Sequence, residues 1–407
     1  MNTPASPFSP IRLGPLELRN RFIKSATNEG MAPAGVPTKA LVKHHQSMAA
    51  GGVGMTTVAY CAVSPDGRTF VDQIQLKDAT IPHLRMLTAA VHREGAAACA
   101  QITHGGAFNF LPELGTRYPL SASSGFNAAG VLSGRLFKTA MTPADLDRVA
   151  TEFATGARHA RVAGFDAVEI HMGHGYLLSQ FLSPAYNKRR DDYGGSPDKR
   201  ARFPAMVLRR VLDAVGDELA VTCKISVHEG FKGGGTSEDA VVIARILERE
   251  GANLIVLSGG MNVEAPWAIF GSPLPKEATD VVKNPIVRLA SRLQRLMQPR
   301  IQFQPMYLLD HSRKVRAAVK MPLAYLGGVK SMAGVQQAMI EGFDCIVLGR
   351  ALIHDPDLVN QFRSGRATES GCTSCNRCVV SMYTPGGTAC VLKELNDPAL
   401  NRIPAAD

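Results

Sequence analysis

From about residue 20 to about residue 360 the chain alternates short apolar runs with longer amphipathic segments, and this constrains its fold more than any other feature. Eight runs can be counted: NRFIKSAT, VGMTTVAYCAV, AAACAQITH, DAVEIH, LAVTCKISV, NLIVLSGG, MPLAYLGG and CIVLGRALI. Each is short and rich in apolar residues, as expected of a strand covered on both faces. The segments between them carry helix signals. TPADLDRVATEFATGARHARVAG has a Thr cap, Pro in the first turn, a periodic apolar stripe and a glycine stop, and TSEDAVVIARILEREG and SMAGVQQAMIEG repeat the design. Repeated strand–helix units predict an α/β fold around a parallel sheet, and eight units are the number that closes a (β/α)8 TIM barrel.

We therefore expect a barrel over residues 1–364 and a Cys-rich appendage over 365–407. Three long connections, residues 105–142, 184–200 and the stretch MNVEAPWAIFGSPLPKEATDVVKNP, leave the carboxyl ends of strands and read as extended walls and lids of a site. No run approaches the roughly 18 apolar residues of a membrane span, and the opening residues lack the blocks of a signal peptide, so the expected location is cytoplasmic. The net charge of +10 raises nucleic acid as a partner, but Lys and Arg are interleaved with Asp and Glu. The densest basic stretch, RLASRLQRLMQPR, has Leu289, Leu293 and Leu296 at helical spacing and reads as a solvated helix face.

The carboxyl ends of the runs bear Thr27, Gln101 with His104, His171 with His174 and Tyr176, Lys224, Ser258, Gly327 with Gly328, and Gly349 with Arg350. Polar or glycine residues at nearly every strand exit predict a ligand-binding mouth. The glycines of YLGGVKS and the Gly-Arg pair of VLGRAL suit a phosphate, which backbone N–H groups and a guanidinium fork can hold. His171 and His174 can be core histidines, metal ligands, or paired donors aimed at a carbonyl oxygen with the Tyr176 phenol beside them. Lys224 has three readings: a snorkelling lysine, a cation facing an anionic cofactor ring, or a Schiff-base amine of a lyase.

HMGHGYLLSQFLSPAYNKRRDDYGGSPDKRARF resembles the central motif of the old yellow enzymes. FSPIRLGPLELRNRFIKSAT, AAGGVGMTTVAYCAVSPDGR and AQITHGG resemble that family's first three units, so the likeness extends over most of residues 8–360. The resemblance implies an NAD(P)H-driven ene reductase carrying flavin mononucleotide (FMN) across the barrel top. Its phosphate would lie at Gly327, Gly328, Gly349 and Arg350, with Ser25, Ala26, Thr27, Ala59, Gln101 and Lys224 around the ring. Lys224 stands where most members have arginine, which keeps the cation and loses the fork. His171 and His174 would hold the carbonyl oxygen of a small-molecule α,β-unsaturated carbonyl substrate, and Tyr176 would protonate its α-carbon. The family also implies a homo-oligomer, and oxidative demethylase-like or dienoyl reductase activity stands as the alternative.

Eight cysteines fall into two groups. Cys61, Cys99, Cys223 and Cys345 lie singly in strand-like runs and read as core, whereas Cys372, Cys375, Cys378 and Cys390 cluster in the tail and read as metal ligands. CTSCNRCVVSMYTPGGTAC resembles the four-iron segment of larger relatives of the family. Zinc and a 4Fe-4S cluster are both open, as are free thiols. A protein without catalysis that responds to metal or nucleic acid through the tail is the alternative of a different class.

Overall fold

The computed structural model describes residues 4–279 and 301–394, apart from 383 and 385, with only isolated positions between 280 and 300. The basic stretch 288–300 therefore lies almost wholly outside the described residues.

Eight parallel strands close into a barrel in sequential order, one from each of the eight apolar runs. They are β1 (Phe22–Lys24), β2 (Met55–Ala62), β3 (Ala97–Thr103), β4 (Ala167–Met172), β5 (Ala220–Ser226), β6 (Leu254–Ser258), β7 (Leu323–Tyr325) and β8 (Cys345–Leu348). Pairing of β8 with β1, at Ile346–Phe22 and Leu348–Lys24, completes the ring. Around it lie α1 (Lys39–Ala50), α2 (Ile81–Arg93), α3 (Pro143–Val162), α4 (Arg202–Val215), α5 (Ser237–Arg249), α6 (Leu309–Ala318), α7 (Met332–Ile340) and α8 (Leu358–Ser364).

The cap chemistry acts as the sequence predicts. Thr142 opens α3 by accepting from the Asp145 N–H, and Asp145 reaches back to the Thr142 N–H, which satisfies two donors that a helix start leaves orphaned. Thr236 and Asp239 do the same for α5. Among the described residues no helix is long and apolar enough to cross a membrane.

Alternation along each strand separates two apolar layers. Val168, Ile170 and Met172 of β4 face the helices, while Ala167 packs inside the barrel with Ile23, Met55, Cys99, Ala220, Leu254, Val256, Ala324 and Val347. Leu13 and Leu18, from an N-terminal hairpin over Ile11–Leu13 and Leu16–Leu18, join this inner layer. Apolar packing thus fills one part of the barrel interior, and the polar residues of the strands gather at their carboxyl ends. The four single cysteines are fully buried core residues, as expected.

Candidate active site

The carboxyl ends of the strands open into a cavity with an empty volume of about 1370 Å³, its solvent-facing mouth included. Ser25, Ala26, Thr27, Ala59, Gln101, His171, His174, Tyr176, Lys224, Gly328, Gly349 and Arg350 all line it. Gly327 departs from expectation and does not. A Cβ there would come within 2.7 Å of the Tyr325 hydroxyl oxygen and 3.0 Å of Leu308 Cβ, so this glycine serves packing behind the wall.

His171, on the inward face of β4, and His174 and Tyr176, in the turn that follows it, supply the chemistry. His171 accepts the Gly173 N–H at Nδ1 (3.3 Å), which leaves Nε2 as the protonated nitrogen of a neutral ring. His174 sits in the left-handed region at φ 62°, held by its N–H to Ser226 Oγ (3.2 Å) and by Nε2 against Ser258 Oγ (2.8 Å). If Ser258 donates in that bond, His174 carries its proton on Nδ1. The two imidazoles stand perpendicular with centroids 5.0 Å apart, and the Tyr176 ring lies 4.6 Å from His171.

Burial, reinforced by the Lys224 charge, holds the His174 pKa down to about 3 and that of His171 well below the ordinary value. Both are therefore neutral N–H donors at physiological pH. Burial pushes the Tyr176 phenol up to about 12, against opposing hydrogen bonds from Tyr60 and Asn262, so it retains its proton. Two donors and a protonated acid around one space can stabilise a growing negative charge and then quench it.

Below them, Lys224 Nζ pairs with Glu169 at 2.9 Å, and Gln101 donates to the same carboxylate oxygen at 2.7 Å. The amine is locked in a buried ion pair, which gives the Schiff-base reading no free nucleophile. A second buried pair, Lys24 with Glu29, lies close by, and the Ala59 N–H also donates to Glu29. The strand-end reading missed Glu169, Glu29, Tyr60 and Asn262. Glu169 was findable, because it stands two residues before His171 and so shares its face.

The tail docks on the mouth through specific contacts. The Thr388 N–H donates to Glu29 O at 2.7 Å, and its hydroxyl donates to Asn28 O at 2.7 Å. Cys372 and Cys378 line the main cavity, and all four tail cysteines line a much smaller one beside Arg350. Among the described residues no three of their thiols lie within 4.8 Å of one another. The trio that does meet that spacing is Asp66, His104 and Glu152. There His104 Nδ1 accepts the Gly106 N–H (3.0 Å), so Nε2 bears a hydrogen and is not a metal ligand.

The residues present fit a flavin nucleotide on one further observation. The Thr27 hydroxyl oxygen is buried, lines the cavity and has no hydrogen-bond partner among the described residues, as expected of a group awaiting a polar ligand. Fold and mouth together define an enzyme of the (β/α)8 class with a cofactor-sized site at the carboxyl ends of its strands. The NADH:flavin oxidoreductase / NADH oxidase family model matches residues 6–369, and the chain belongs to this family of FMN-dependent, NAD(P)H-driven oxidoreductases.

The 4,4'-dithiodibutanoate disulfide reductase of Rhodococcus erythropolis is 40% identical, over 97% of this chain and 97% of its own. A metal reductase of Desulforamulus reducens is 29% identical over 95% of this chain, which spans only 53% of that relative's length. An old yellow enzyme homologue from Zymomonas mobilis superposes with a TM-score of 0.71 at 22% identity, covering 94% of this chain and 99% of that one.

Proposed function

We propose that the protein reduces α,β-unsaturated carbonyl compounds, with NAD(P)H as electron source and FMN at the barrel mouth. The observation that carries this reading is the convergence of His171, His174 and Tyr176 on one cavity, two neutral donors beside a protonated phenol. Gly328, Gly349 and Arg350 would hold the phosphate. Ser25, Ala26, Thr27 and Ala59 would pack on the ring, with Gln101 and the Glu169-paired Lys224 at its polar edge. Bound and reduced, the flavin supplies a hydride equivalent to the β-carbon. The chain's part is to stabilise the negative charge on the carbonyl oxygen through the His171 and His174 N–H groups, an interaction that strengthens toward the transition state. Tyr176 then gives its phenolic proton to the α-carbon, steadied by Tyr60 and Asn262.

The visible spectrum of the purified protein before and after anaerobic NADPH tests this. Flavin bands should bleach with NADPH and return on adding an enone. A colourless protein that also fails to bind added FMN would overturn the reading.

One finding favours a second substrate class, the 40% identity over nearly full length to a disulfide reductase. Hydride delivery to one sulfur would break the S–S bond and release a thiol and a thiolate, and the thiolate would take up a proton. The same histidine donors would then face the departing sulfur. Turnover of an enone and of a dicarboxylate disulfide by one preparation separates the two readings.

The tail supports a further assignment, a multi-iron cluster on Cys372, Cys375, Cys378 and Cys390. Tetrahedral zinc with Zn–S bonds of about 2.3 Å brings its sulfurs to roughly 4 Å apart. Four thiols lining one shared cavity, with no three inside 4.8 Å among the described residues, suit a larger inorganic core.

A further inference from the structure

Arg350, the residue expected at the cofactor phosphate, is held by segments far from it in sequence. Its Nη1 donates to the Asn376 side-chain oxygen, to Ser272 Oγ (3.2 Å) and to Ser374 O (3.4 Å), and Nη2 donates to Phe270 O (2.6 Å). Asn376 in turn donates from Nδ2 to Ser272 Oγ (2.9 Å) and Pro273 O (2.9 Å). This amide therefore ties three pieces of chain together: the β8 exit, the lid over residues 270–273 and the cysteine loop. It is 1% exposed, and its backbone is left-handed at φ 61°. An L-residue in that region is strained and persists where its surroundings hold it, and among L-residues asparagine is one of those that tolerate it best. Among the described residues the Arg350 hydrogen bonds leave from Nη1 and Nη2, so the guanidinium is held in place while its Nε–H keeps donor capacity.

We propose that Asn376 is a positioning residue for the cofactor phosphate, acting through Arg350 to couple the cysteine loop and the lid to flavin affinity. The inference rests on the phosphate assignment made above. It predicts an effect that depends on the phosphate, because the amide bonds Arg350, Ser272 and Pro273 and none of the residues assigned to the flavin ring.

The test titrates the full chain, stripped of flavin, with FMN and with riboflavin, which lacks the phosphate. Asn376→Gly removes the amide and keeps the left-handed backbone free of strain, so folding is spared. It should weaken FMN binding roughly tenfold, the scale of one charge-assisted hydrogen bond, and leave riboflavin affinity unchanged. Asn376→Asp keeps an oxygen acceptor toward Arg350 but adds a negative charge that competes with phosphate. It too should lower FMN affinity selectively. Equal loss for both ligands, or no loss for either, would overturn the proposal. Arg350→Met is the control. If it reduces the preference for FMN over riboflavin while Asn376→Gly does not, only the Asn376 role fails. If it leaves the preference intact, the phosphate assignment falls and takes the coupling with it.

Discussion

Replacing Tyr176 by Phe separates the steps of the reaction and the two substrate classes in one experiment. The change deletes a single oxygen and keeps the ring that packs 4.6 Å from His171, 5.2 Å from Tyr60 and 5.7 Å from Phe108, so the cavity wall survives. The lost hydrogen bonds to Tyr60 and Asn262 cost about 1–3 kcal/mol of stability. With an enone, the α-carbon must gain a proton, and the phenol with its pKa of about 12 is the acid placed to give it. Loss of a positioned general acid slows such a step about 10²–10⁴-fold, or about 3–5 kcal/mol at 1.36 kcal/mol per tenfold. A disulfide makes a weaker demand, since the departing thiolate has an ordinary pKa of about 8.5 and leaves as the anion. There the effect should stay below about tenfold. The assay is anaerobic stopped-flow of both half-reactions. Flavin reduction by NADPH should keep its wild-type rate, enone-driven reoxidation should slow by the stated factor, and disulfide-driven reoxidation should barely change. Equal slowing of reduction and reoxidation would refute the proton-donor role.

Other perturbations test other parts of the site. Glu169→Gln removes the carboxylate 2.9 Å from Lys224 and leaves a less compensated cation beside the cofactor. The flavin midpoint potential should rise by tens of millivolts, at about 30 mV per 1.4 kcal/mol for two electrons, and a fall measured by spectroelectrochemistry would contradict this. Burial holds the His104 pKa down to about 4 and those of His45 and His171 well below the ordinary value, so the unfolded chain binds more protons below its histidine pKa of about 6.5. The resulting stability is present above that pH and is lost as pH falls, about 2 kcal/mol per histidine by pH 5. Glu229, pushed up to about 7 by burial, opposes this by about 2 kcal/mol over the same interval. Denaturant unfolding at pH 7 and pH 5 should show a net loss of several kcal/mol, and equal stability at the two values would count against these burial effects. Cys378→Ser should lower bound iron and acid-labile sulfide together. Stoichiometric zinc in the unaltered protein would reject the cluster assignment.

The barrel was legible because its strands are covered on both faces, a condition that writes itself as apolar runs of strand length. Residues lining the cavity were legible for the same reason in reverse, since a His, Lys or Gln at the exit of such a run has no core to join. Glu169 escaped because it lies inside DAVEIH, where a carboxylate looks like an exception to the run. Only the two-residue alternation with His171 marks it as facing the same interior, and only the closed sheet places Lys224 and Gln101 against it. Gly327 illustrates the opposite error. Adjacent glycines look alike in sequence, yet one of them bounds the cavity and the other makes room for Tyr325 and Leu308, which depends on where those side chains lie. The tail was hardest to read. Its cysteine spacing speaks of metal, but its place over the mouth is set by Thr388 against Asn28, 360 residues apart, and by Asn376 against Arg350. No local periodicity encodes such contacts. They exist because a barrel exposes backbone carbonyls and a guanidinium at its carboxyl end, and a polar loop without a core of its own can satisfy its donors there. A cysteine segment docked in this way shares hydrogen bonds with Arg350, so under the proposed phosphate assignment a change in its shape would reach the cofactor through that guanidinium.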